Sequence, residues 1–246
     1  MNPAAIDVTD TTVHHGHILA LDRLDLHIPP QTVCGLLGTN GSGKSTLFKT
    51  ILGLTRPDHG RTRIMGHTPT AARRAGLLAY LPQAEQVDWT FPLRVDDVVM
   101  MGRYNHMGPR RDPRPTDRQA VDQALHRTAL TELAHRQIGA LSGGQRKRAF
   151  LARALAQNAP ILLLDEPFAG IDKHSESTIT DLLRTLPAQG HTLLISTHDL
   201  TQVPTLCDQA LLLQRRVLAQ GTPEHVLRPE LLMQAFTTHT PQEDPA

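Results

Sequence analysis

The chain has 246 residues, 39% of them hydrophobic and 20% charged, with 25 basic against 24 acidic side chains and a formal net charge of +1. That length carries a sizeable core, and the charge balance leaves no chain-wide positive field for a nucleic-acid backbone or an anionic membrane surface. No apolar run approaches the ~18 residues that span a bilayer, the opening MNPAAIDVTD lacks a secretory leader pattern, and Cys34 and Cys207 form no CxxC pair.

In chain order, residues 17–37 carry short strand-like runs that end in the mostly apolar stretch 32–37, the length of a buried strand. Glycines follow at once. From Lys44, the residues Leu47, Ile51 and Leu54 recur at helical spacing, with Gly53 and Pro57 as stop signals. The predicted order is therefore strand, glycine-rich loop, helix. Residues 84–157 read as mainly helical, interrupted by GPRRDPRP at 108–115, whose prolines exclude a regular interior. Thr116 and Gln119 form a candidate capping box for a helix with Val121, Ala124, Leu125 and Thr128 on one face.

Strand signals at 161–164 and 192–196 flank a helix carrying Ile179, Leu182, Leu183 and Leu186, which stops at Pro187 and Gly190. Strands alternating with helices predict an α/β fold with a parallel sheet. Residues 210–213 and 217–219 are expected to pair across a turn at 214–216, and Thr222 with Pro223 opens a further helix. The tail, 237–246, reads as disordered, and no internal repeat divides the chain.

Between the strand at 32–37 and the helix from Lys44 lies GTNGSGKST, residues 38–46, which fits GxxxxGK[ST] in the context that pattern requires. Gly38, Thr39, Asn40, Gly41, Ser42 and Gly43 bend the backbone so that N–H groups face phosphate oxygens, helped by the positive end of the helix that follows. Lys44 reaches the β- and γ-phosphates, Ser45 offers a hydroxyl to Mg²⁺, and Thr46 completes the motif. Further on, ILLLDEP at 161–167 delivers Asp165 and Glu166 to a strand end, where ligands bind in open α/β sheets. Asp165 suits Mg²⁺, and Glu166 is placed to polarise a water attacking the γ-phosphate. The two motifs together imply a nucleotide hydrolase.

Residues 141–145 spell LSGGQ, about twenty residues ahead of Asp165. Phosphate loop, LSGGQ and acidic strand in this order resemble the ATP-binding cassette family over nearly the whole chain. The resemblance implies a P-loop NTPase core, RecA-like and mostly parallel, with a small antiparallel β subdomain and an inserted helical subdomain. Residues 1–236 then form one ATPase domain, with the core at about 1–83 and 158–236 and the helical subdomain at about 84–157. It implies ATP and Mg²⁺ as ligands, the ion held by Ser45, Gln83 and Asp165. It also implies a second copy of the chain packed head to tail, whose Leu141, Ser142, Gly143, Gly144 and Gln145 cover the first copy's γ-phosphate. Gln83, in YLPQ, matches the glutamine that senses the ion and the attacking water. His198, in STHD, matches the γ-phosphate histidine, and Asp172, in AGID, matches the aspartate of the loop at the dimer interface.

One departure concerns adenine. Where many relatives place a stacking aromatic residue, this chain has VHHGHILAL, so His15 or His14 takes that position. His15 and His17, at i and i+2 of one strand face, leave metal binding by this cluster open. The stretch after Gln83, AEQVDWTFPLRVDDVVMMGRYNHMG, and HRQIGALSGGQRKRAFLARALAQ at 135–157 are similar to the ATPases of bacterial manganese, zinc and iron importers. That similarity implies a transmembrane permease met through Trp89 and Phe91, an extracytoplasmic metal-binding protein as an indirect partner, and no nucleic acid. It places the chain peripherally on the cytoplasmic face of the inner membrane. Manganese leads, with zinc or iron as alternatives; the other readings are an importer ATPase for a different cargo such as an iron-siderophore complex, or a soluble cassette ATPase without a permease.

Overall fold

Along β1 (Ile6–His15) the buried residues Ile6, Val8, Thr11 and Val13 alternate with more exposed ones, and in β2 (Ile18–Ile28) Leu21, Leu24, Leu26 and Ile28 do the same. Each apolar side chain among them contributes roughly 2 kcal/mol by leaving water. The period breaks in each strand, in β1 between Val8 and Thr11, where Asp10 adopts φ 45, and in β2 between Leu21 and Leu24, where Arg23 adopts φ 42, and the register between the two shifts over this stretch. The bulge at Asp10 hides β1 from a search for strict alternation. The computed structural model describes residues 4–83 and 92–237; β1 and β2 belong to a unit made of residues 1–70 and 196–246, and residues 71–195 form a second.

In the first unit the chain continues through β3 (Val33–Leu37), α1 (Lys44–Ile51) and β4 (His59–Ile64). β2 and β4 flank β1 in an antiparallel sheet, with Ile6 opposite Ile28 on one side and Ile64 on the other. Gly60, φ +83, crosses Asp10 so closely that a Cβ would lie 2.1 Å from its carbonyl oxygen, which only glycine allows. Helix α1 stops earlier than its apolar spacing suggests: Leu52 caps it, Gly53 turns with φ +66, and Leu54 is exposed instead of joining Leu47 and Ile51. A short helix, α2 (Pro69–Arg74), follows.

The second unit runs through β5 (Leu78–Leu81), α3 (Val95–Met100), α4 (Pro115–Arg127), α5 (Gly143–Ala156), β6 (Ile161–Asp165), α6 (Lys173–Thr185) and β7 (Thr192–Ser196). β5 and β6 pair in parallel, Leu78 opposite Ile161 through Leu81 opposite Leu164, and β7 adjoins β6. Helices α3 and α4 pack on α5, with Val95, Val99, Val121, Leu125, Ala149 and Ala152 buried among them. Thr116 and Gln119 do not form the cap of α4. Pro115 occupies the first helical position, where its fixed φ suits the helix, and Asp117 accepts the Arg114 N–H at 3.1 Å.

Asp117 also anchors this unit. It is 1% exposed and accepts Arg103 Nε at 2.9 Å, while Arg103 Nη1 donates to the Ala156 carbonyl at 2.9 Å. The chain then returns to the first unit through α7 (Val203–Leu206), β8 (Gln209–Gln214), β9 (Arg216–Gly221), α8 (Pro223–Val226) and α9 (Pro229–Thr237). β8 lies parallel to β3, and β9 folds back antiparallel on β8 around Arg215 with φ 57, so the expected pairing is present; Thr222 stands just before α8 with Pro223 at its first position, but its side chain makes no capping hydrogen bond. Thr237 closes α9, and the rest of the expected tail lies outside the described residues.

The backbone hydrogen bond from Arg114, and then Arg103, hold the Asp117 carboxyl below its usual 3.8. A depressed folded value stabilises above the unfolded value and is lost as pH falls through the folded one. Asp117→Asn should therefore cost about 3 kcal/mol at neutral pH, with the gap to the parent closing under acid. Urea unfolding at pH 7 and at pH 3 reads both.

Candidate functional site

In the first unit β3 is buried at every position, so its end is fixed by packing, and the loop 38–43 leaves from there. Gly43, the residue before α1, has φ +102, and a Cβ on it would stand 2.7 Å from the Ala20 carbonyl oxygen and 2.8 Å from Leu21 Cδ2. Glycine is thus required on two counts, backbone hand and space. No acidic residue sits in the first turn of α1, which leaves the positive end of that helix uncompensated. Lys44 is 9% exposed and donates to the Gly38 and Thr39 carbonyls at 2.8 and 2.9 Å, folding the loop around its ammonium. Ser45, Asn40 and Gly41 are exposed, Thr39 Oγ1 donates to Gln214 Oε1 at 3.3 Å, and Ser42 Oγ is tucked beneath Gly38.

The two candidate adenine-side histidines part company here. His14 Nδ1 and its main-chain N–H both meet Asp58 Oδ2, at 2.9 and 2.8 Å, and these bonds hold the Asp58 carboxyl below its usual value. His15 instead turns to the phosphate loop, its Nε2 3.2 Å from Thr46 Oγ1. The pairing of His15 with His17 on one strand face does not occur, because β1 ends at His15 and Gly16, φ 61, begins the hairpin turn that holds His17. Among the described residues no group of three or more His, Cys, Asp or Glu is placed to hold a metal ion. His198 stands exposed two residues past β7, after Thr197, whose N–H donates to the Leu36 carbonyl at 3.2 Å.

In the second unit β6 is also buried throughout and ends on Asp165, 6% exposed. Tyr80 on β5 donates its hydroxyl to Asp165 Oδ2 at 3.5 Å; burial first, and then the Asp165 charge, push the phenol up to about 12. Glu166 follows with φ 49, a left-handed backbone that costs a non-glycine residue on the order of 1–2 kcal/mol. Its carbonyl oxygen accepts the Ala169 N–H at 3.2 Å and Lys147 Nζ at 2.7 Å, and its carboxylate Oε2 meets Gln83 Nε2 at 3.5 Å. The structure thus brings Gln83 and Glu166 together.

The LSGGQ segment opens α5 through a reciprocal cap: Ser142 Oγ accepts the Gln145 N–H at 3.2 Å, and Gln145 Oε1 accepts the Ser142 N–H at 3.0 Å. Leu141 is buried, Gly143 exposed. Asp172 caps α6 through the Ser175 N–H at 2.9 Å, and a Cβ on Gly144 would lie 2.8 Å from Ser175 Oγ and 3.0 Å from Asp172 Oδ2. The loop carrying Asp172 is therefore fitted against the start of α5. Trp89 and Phe91 lie outside the described residues. Tyr80 and Lys147 are residues of this neighbourhood that the motifs do not announce, since each acts through a partner distant in sequence.

Gly43→Ala should weaken ATP binding by at least about tenfold, because the required left-handed turn and the 2.7 Å approach to Ala20 cannot both survive a Cβ. Titration with a fluorescent nucleotide measures it, and an unchanged affinity would count against the loop geometry.

Comparisons with known proteins bear on the family. The ABC transporter family model matches residues 21–169. The chain is 49% identical to the manganese transport system ATP-binding protein MntA of Synechocystis over 94% of this chain and 89% of that protein. It is 46% identical to the chelated iron transport system membrane protein YfeB of Yersinia pestis over 94% of this chain and 78% of that one. Among solved structures, the inward-facing conformation of a putative metal-chelate type ABC transporter superposes with a TM-score of 0.83 at 30% identity, covering 95% of this chain and 89% of the other. With its glycine-lined phosphate loop, acidic strand end and LSGGQ-capped helix, the chain belongs to the ABC transporter family, as one of its ATP-hydrolysing subunits.

Proposed function

We propose that this chain is the ATP-binding and ATP-hydrolysing subunit of a bacterial importer for a transition metal, manganese before zinc or iron. The observation that carries the cargo is the 49% identity to a manganese transport ATPase along 94% of the chain. The 46% identity to the chelated iron system favours iron as the second reading. Among the described residues no helix is long and apolar enough to cross a membrane, which agrees with a peripheral subunit seated on a permease at the cytoplasmic face. Trp89 and Phe91 are the proposed permease contacts, and residues 84–157 the helical part of a single ATPase domain.

The residue roles follow the chemistry of each group. Main-chain N–H groups of the loop 38–43, Lys44 and the start of α1 bind the phosphates, and His15, beside Thr46, lies against the adenine. The oxygen donors Ser45, Gln83 and Asp165 suit Mg²⁺, which takes hard oxygen ligands, keeps waters and shares the phosphates of its nucleotide. Bound there, the ion would supply charge neutralisation to the phosphates. Glu166 accepts a proton from the attacking water, Gln83 orients that water, and His198 donates to the γ-phosphate. Residues 141–145 and Asp172 face a second copy packed head to tail, whose own set faces the first. ATP binding closes the pair and moves the permease; hydrolysis reopens it.

Glu166→Gln should retain ATP affinity and lower turnover by about 100-fold or more, accumulating a closed dimer visible by size-exclusion chromatography with ATP. Normal turnover in that variant would refute the assignment of the base. Cargo is tested on the complex purified with its permease and binding protein: ATPase stimulation by manganese supports the proposal, and stimulation by a chelated ferric ion alone replaces it with the iron reading.

A further inference from the structure

Lysine is rare in this chain, confined to Lys44, Lys49, Lys147 and Lys173, while the remaining 21 of 25 basic residues are arginine. Lys147 lies in the first turns of α5, five residues past the Ser142 cap, and is half-buried. Its Nζ is 2.7 Å from the carbonyl oxygen of Glu166, the residue with φ 49. We propose that Lys147 is a positioning residue for ATP hydrolysis, its ammonium pinning the Glu166 carbonyl so that the left-handed backbone holds the carboxylate toward Gln83.

The geometry explains why a cation is spent at this point. A glutamate in the left-handed region relaxes to the extended or helical region unless its surroundings prevent it. The Ala169 N–H alone gives the carbonyl one neutral hydrogen bond at 3.2 Å; the ammonium adds a second that is shorter and charge-assisted. Rotation of the Glu166 peptide would break both bonds and swing the carboxylate away from Gln83 Nε2, now 3.5 Å distant. For stability alone an apolar side chain would serve better at this half-buried position. Burial works against the Lys147 charge and lowers its pKa, while the Glu166 and Asp165 carboxylates favour the charged form. The clamp also ties Glu166 to the same helix whose first residues carry the LSGGQ cap.

This inference rests on the reading of Glu166 as the base, and the experiment separates the two. Turnover, KM and equilibrium ATP affinity are measured on the full chain for Lys147→Met, Lys147→Arg, Glu166→Gln and the Lys147→Met/Glu166→Gln double variant. Lys147→Met should lose about tenfold or more in kcat, with KM and affinity within about twofold, and Lys147→Arg, which still donates, should recover to within about threefold of the parent. Adding Lys147→Met to Glu166→Gln should cost nothing further, because both act on one step. If Lys147→Met does not fold, Lys147→Leu, which likewise donates nothing, takes its place with the same kcat loss expected. Unchanged kcat, a loss carried in KM, or a further loss in the double variant overturns the clamp while the base stands. Normal turnover in Glu166→Gln overturns the base reading and the clamp with it.

Discussion

A fully buried strand can end at only one place. In β3, β6 and β7 every residue is buried, so each backbone polar group must find its partner in the ladder, and slippage by one residue would move every side chain to the opposite face. The residues proposed to carry the chemistry stand where those ladders stop: Gly38 after β3, Asp165 and Glu166 at the end of β6, His198 just beyond β7. Packing therefore fixes the position of each functional group to within a residue before any ligand contact is considered. The exits must then turn sharply, and they do so by left-handed backbone, taken by glycines at 41 and 43 and by a glutamate at 166.

The difference between those exits is physical. At Gly43 the neighbouring Ala20 carbonyl and Leu21 methyl forbid any side chain, so the sequence itself records the constraint as a glycine. At Glu166 the proposed base is a residue whose backbone would prefer to be elsewhere, and the constraint is met by a bond within the turn, from the Ala169 N–H, together with one from outside the segment, from Lys147. Such strain is tolerated where surrounding structure over-determines it. The first kind of solution can be read from one stretch of chain; the second cannot.

That distinction governs how much was legible beforehand. The phosphate loop, the acidic strand end and the LSGGQ cap are contiguous patterns, and the parallel β3–β8 and β5–β6 pairs follow from apolar runs alternating with helices. β1 was not visible because the bulge at Asp10 breaks its alternation, and the choice between His14 and His15 was not either, because adjacent strand residues face opposite ways and the phase is set by that same irregular register. The cap of α4 was misplaced by one motif: Thr116 and Gln119 satisfy the pattern, but Pro115 and Asp117 satisfy the backbone. Tyr80 on Asp165 and Lys147 on Glu166 join positions 85 and 19 residues apart and leave no local signature.

The near-zero net charge acquires a meaning from these contacts. Lys44 and Lys147 donate to carbonyls of the loops that follow β3 and β6. Arginines do similar service elsewhere: Arg103 on Ala156, Arg146 on Gly139, and Arg148 on Thr128 and Ala129. Several of these acceptors lie where a helix ends and its last carbonyls lack partners. Cations so used shape the backbone from within. In the phosphate site proposed at the loop 38–43, main-chain N–H groups and one helix end act beside Lys44, and their field is short-ranged and directional, so recognition there depends on the shape of the loop as well as on charge.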